Sequence, residues 1–143
     1  MDLNDELLVP ERGSWAPRVV RRDGHLLLTM MVASGHMDRS VALPVAERHV
    51  PVLRDDATRY WLLHAALHSP YQLRDTELDA DELATYLDTI LLAPADEVEE
   101  FLTALDHGRA NGAISNIVSI FTHADRLAMR DGRWFEALDA AAG

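Results

Sequence analysis

Two histidines, His64 and His68, stand four residues apart, the spacing by which two imidazoles on one helical face can hold a single zinc ion. The zinc-protease pattern needs a glutamate directly after the first histidine, and Ala65 occupies that position. Spacing supplies no third ligand, so no metal and no cofactor is expected. Partly buried rings bonded to backbone carbonyls are the plainer expectation. His123, with Asn116 and Asp125 near it, adds a third imidazole on a later helix. His64, His68 and His123 are therefore the residues that would line a ligand pocket or a hydrolase-like site.

Other chemistry finds little support. Ser14, Ser34, Ser69 and Ser115 lack the context of a nucleophile elbow, and no glycine-rich run resembles a phosphate-binding loop. Cysteine is absent, which removes disulfides, thiolate nucleophiles and thiolate metal ligands. Asp79-Ala80-Asp81-Glu82 lacks the central glycine and the placed terminal glutamate of a calcium loop. Arg18, Arg21 and Arg22, with Arg12 upstream, could grip a phosphate or carboxylate in bidentate fashion. Neighbours on a strand face opposite sides, so a solvated edge paired with local acids explains that run better. No residue is assigned a catalytic role, and an enzyme is the less favoured reading.

The densest chemical feature is acidic. Residues 75–106 hold eleven carboxylates and no arginine or lysine. The chain carries a formal charge of −11 with a pI near 4.9, which opposes binding to nucleic acid or to an anionic membrane and attracts a basic protein. The charge is segregated: residues 1–54 have seven acids against seven arginines, whereas residues 55–143 have 17 acids against six arginines. Asp88, Asp96, Glu97, Glu99, Glu100 and Asp106 are expected to form a partner-binding face on two helices. The corresponding function is a noncatalytic protein-binding module, in its most concrete form an immunity- or antitoxin-type inhibitor of a basic protein. A second expectation is a small-molecule-binding or hydrolase-like domain built on the histidines. A third is a structural homo-oligomer that buries an apolar patch at Trp134-Phe135.

These residues need elements to position them. Asp79 and Glu82 make a capping box, so a helix should begin near Ala80, with Leu83, Tyr86, Leu87, Ile90 and Leu91 along one inner stripe. Pro94 turns a corner into a second helix with Val98, Phe101, Leu102 and Leu105 inward, closed by Gly108 as a left-handed cap. Asp55 or Asp56 can cap a helix over 58–68 that is apolar nearly all round and hence buried. Asn111 is expected to cap a further helix running through Ile114, Phe121 and Ala128, and residues 133–142 a last one with Trp134, Phe135 and Leu138 inward.

Upstream the period changes. Asp23-Gly24 lies between two strand-like runs and signals a two-residue hairpin. The second run, residues 25–32, is apolar at consecutive positions and is expected to be a central strand covered on both faces. Residues 1–13 are expected as a helical turn or docked tail. Residues 34–39 read as a turn, and 41–43 and 50–53 as edge strands or coil because of their prolines. With 143 residues and 48% hydrophobic content, the chain reads as one α+β domain: an N-terminal antiparallel β-meander of three to four strands packed against a C-terminal set of four to five helices. The acidic N-terminus lacks a signal-peptide pattern and no apolar run spans a bilayer, so a cytoplasmic location is expected.

Overall fold

The computed structural model describes residues 5–34 and 37–142. The centre of the turn expected over 34–39 lies outside them, as does the start of the N-terminal tail. Four strands, β1 (Glu6–Val9), β2 (Arg18–Arg22), β3 (His25–Ser34) and β4 (Met37–Pro44), form one antiparallel sheet in sequential order. The meander follows from its turn. Asp23 and Gly24 sit at φ 52° and 80°, the two positive values a type I′ connection needs, and Arg22 pairs with His25 across it.

Three local expectations are corrected in this half. Residues 6–9, expected as a helical turn or tail, add an edge strand that pairs Leu7 with Val20. β3 is interior but covered on one face only: Leu26, Leu28, Met30 and Val32 are buried while Leu27, Thr29 and Met31 are half-exposed. Its consecutive apolar residues therefore line two different environments. Residues 50–53, expected as strand or coil because of Pro51, form a helix, α1 (Val50–Asp55). Pro51 falls in the first turn, where a missing N–H leaves no helical bond unmade.

The helical half is α2 (Ala57–His68), α3 (Ala80–Leu92), α4 (Ala95–His107), α5 (Ala113–Thr122), α6 (Arg126–Arg130) and α7 (Trp134–Ala142). With α1 this makes seven helices among the described residues, so the α+β class stands and the helix count exceeds the four to five expected. α2 begins where Asp56 accepts the Arg59 N–H at 3.0 Å. It buries Tyr60 and every residue from Leu62 to Leu67 against α1, α3, α5 and α7. Tyr60 ties it to the connection between β1 and β2, accepting the Arg12 N–H at 3.0 Å and donating to the Pro17 carbonyl. α3 starts on the reciprocal bonds of Asp79 and Glu82, at 2.8 and 3.1 Å.

The extra helix on the C-terminal side comes from a break. His123 takes a left-handed conformation (φ 64°) that closes α5, and Asp125 restarts the chain by accepting the Leu127 N–H at 3.0 Å. Gly112, at φ 85°, rather than Asn111, caps α5. Gly108 closes α4 at φ −100°, not in the left-handed region; its glycine is required because a Cβ would lie 2.8 Å from the Ala104 carbonyl oxygen. One contiguous core joins both halves, from Leu28 and Val32 in the sheet to Leu63, Ile90, Leu102, Ile114 and Trp134 in the helices. Trp134 is fully buried and donates to Thr103 Oγ1 at 3.0 Å, while Phe135 lies under the Arg59 guanidinium at 5.4 Å. The apolar face expected at Trp134-Phe135 is therefore core. No helix among the described residues is long and apolar enough to cross a membrane.

Candidate functional site

The acidic residues of α3 and α4 divide by what the arginines reach. Asp106 is fully buried. Its Oδ1 accepts the Ser115 N–H and its Oδ2 the Arg130 guanidinium, both at 3.0 Å, and Arg130 also bonds its carbonyl. The expectation that Asp106 faces a partner is thus corrected, because its position on the inner side of α4 makes it a hub joining α4, α5 and α6. Asp88 is half-exposed and bonds Arg48 at 3.0 Å and His49 at 2.7 Å. The His49 ring accepts the Ala46 N–H on Nδ1, which leaves Nε2 as the donor to Asp88. The bond from His49, followed by Arg48, holds the Asp88 carboxyl below its usual range against partial desolvation. Asp88 fastens α3 to the turn before α1.

Asp96, Glu97 and Glu100 are exposed and meet no cation among the described residues. Glu99 is half-buried, and its Oε2 accepts the Phe135 N–H at 3.0 Å, tying α4 to α7. Asp96, Glu99 and Glu100 line a shallow groove of about 480 Å3 between α4 and the turn at Gly132, with Thr103 and Ala104 along its floor. α4 is held there by Val98 and Leu102, both fully buried, so the carboxylates sit on a fixed support. Such an arrangement attracts and orients cationic side chains.

His64 and His68 do come together, with rings 6.1 Å apart and 3° from parallel. His64 is 1% exposed and is flanked by Trp61 at 5.7 Å and Phe121 at 4.9 Å. Neither ring bonds a backbone carbonyl among the described residues, contrary to expectation: the Nδ1 atoms of both are buried and have no hydrogen-bond partner there. Their side of α2 faces aromatic rings, which offer packing and no acceptor. His123 stands apart, exposed at the end of α5, and Asp125 is occupied in capping α6. Among the described residues no three His, Asp or Glu side chains converge as metal ligands.

Three of the four arginines near the first hairpin are spent on nearby groups, whereas Arg18 is exposed and its side chain meets no partner among the described residues. Arg21 pairs with Glu6 and Glu47, Arg22 with Asp5, and Arg12 donates to the Arg54 carbonyl. A better-enclosed cavity, which no motif signalled, lies where α2, α3, α4 and α5 meet, with Tyr86, Arg109 and Ser69 on its walls. Tyr86 reads in sequence only as a member of the apolar stripe of α3.

No curated protein and no solved structure matches the chain. Residues 5–142 match the model of a family of unknown function, DUF6357, and the chain belongs to that family.

Proposed function

We propose that the protein is a noncatalytic binding module whose α4 face holds a basic protein, in the manner of an immunity- or antitoxin-type inhibitor. The observation that carries this reading is the groove on α4. After the arginines have paired with Glu77, Glu82, Asp88 and Asp106, the carboxylates of Asp96, Glu97 and Glu100 stay exposed on a rigid helix and meet no cation among the described residues. First-turn acids favour the helix dipole in any case, which accounts for Asp96 and Glu97 but not for Glu100, a turn further on. A partner carrying arginine or lysine side chains would gain association rate from the −11 charge and orientation from the groove.

The test compares capture by the wild-type chain with capture by an Asp96→Lys/Glu97→Lys/Glu100→Lys variant. Glu99 is left in place because its bond to Phe135 is structural. The reading expects a basic protein retained by the first, released by moderate salt, and bound at least about tenfold more weakly by the second. Equal retention by both removes it. A second reading, a homo-oligomer, draws support from Ile120, Phe121 and Leu127 on α5 and α6, which are 63, 38 and 75% exposed. Light scattering that gives a monomer mass at all concentrations removes that one.

A further inference from the structure

The cavity at the junction of α2, α3, α4 and α5 has a volume of about 420 Å3, within the range of about 300–1,000 Å3 typical of small-molecule sites. Its floor is apolar and fixed: Ala66 and Ile114 are each 1% exposed, and the Tyr86 ring is braced edge-on by Phe101 at 5.3 Å. Its mouth holds Arg109 and Leu73, both exposed. Two polar groups face the space without full use. The Ser69 hydroxyl makes no hydrogen bond among the described residues. Among the described residues Arg109 has a single ion pair, a 3.4 Å contact with Glu82 Oε2, while Glu82 Oε1 serves the Asp79 N–H. The Tyr86 hydroxyl engages the same guanidinium, which leaves the remainder of its five donors, and the hydroxyl's own proton, for a ligand.

We propose that this cavity binds a small amphipathic carboxylate. The carboxyl group bonds the Arg109 guanidinium and the Tyr86 hydroxyl, and the apolar body lies on Ala66, Leu105 and Ile114. A planar fork of N–H donors matches a carboxylate. A ligand carboxylate has to take the Arg109 guanidinium over from the long 3.4 Å contact with Glu82, and a phosphate monoester would bring a second negative charge that no other cation of the lining meets. An amine would meet the guanidinium at the mouth. The site is separate from the α4 groove and does not depend on a protein partner.

Octanoate, octanamide and octylamine distinguish the possibilities by calorimetry and by amide shifts of the full chain. Octanoate is expected to bind saturably and to shift the amides of Ala66, Arg109 and Ile114, with the amide and the amine at least about tenfold weaker. Arg109→Gln, at an exposed side chain, is expected to weaken octanoate about tenfold without changing the melting temperature. Ala110→Leu, which fills the mouth, is expected to block it. Equal affinity for octanamide, shifts centred elsewhere, an unchanged Arg109→Gln isotherm, or no saturation at millimolar octanoate would each overturn the proposal.

Discussion

Lowering the pH from about 7 to about 4.5 should destabilise this protein through His64, at pH values above those at which Asp88 loses its contribution. Burial, and next the neighbouring His68, push the His64 imidazole down from 6.5 to about 4. His68 is displaced in the same direction by burial. A histidine with a depressed folded-state pKa favours the neutral form in the native state, so the unfolded chain takes up more protons. The stability it contributes is complete above about pH 6.5 and is lost as the pH falls toward about 4. The shift of His64 corresponds to about 3 kcal/mol in all, of which about 2 kcal/mol disappears between about pH 7 and about pH 4.5. The Asp88 carboxyl, held low by His49 and Arg48, loses its contribution only below this window. Urea unfolding followed by far-UV circular dichroism measures the slope. His64→Leu keeps the volume, removes the unpartnered Nδ1, and should leave stability near neutral pH within about 1.5 kcal/mol while flattening the slope. If wild type and His64→Leu lose the same free energy between those two pH values, the assignment to a buried neutral imidazole is wrong.

Other substitutions test the frame that holds the groove. Asp106→Ala leaves Arg130 and the Ser115 N–H without their partner and should cost about 3 kcal/mol, read as a lowered urea midpoint, with Asp106→Asn costing less. Tyr60→Phe removes the group between Arg12 and Pro17 and should cost about 1–2 kcal/mol; no change would mean that the connection between β1 and β2 is tied to α2 by packing alone. Gly108→Ala forces a Cβ against the Ala104 carbonyl and should destabilise by more than about 1 kcal/mol, whereas Gly24→Ala meets no neighbour and is strained only by its positive φ.

What could be read from the chain in advance was local. Asp79 with Glu82, Asp56 with Arg59, and Asp23-Gly24 each act within four residues, and the elements they start or turn are where the sequence puts them. Positions whose meaning depends on distant partners could not be read that way. Asp88 and Asp106 look like their surface neighbours until Arg48 and His49, about forty residues earlier, and Arg130, 24 residues later, arrive beside them. Pro51 reads as a strand breaker because its place in a first turn depends on where α1 begins. The cavity has no linear signature, since Ser69, Tyr86 and Arg109 come from three separate segments. The acidity of the α4 face is plain in composition, yet which carboxylates stay free follows only from where the arginines land.

On the proposed reading, α4 offers a cationic segment a defined groove and not a diffuse negative field. An amide-shift titration with a short alternating lysine–alanine peptide separates the two. A groove gives shifts concentrated on residues 95–104 and 131–132, saturable and salt-sensitive, and lost in the Asp96→Lys/Glu97→Lys/Glu100→Lys variant. Shifts spread evenly over residues 75–82 and α4, or an unchanged isotherm in the variant, would contradict it.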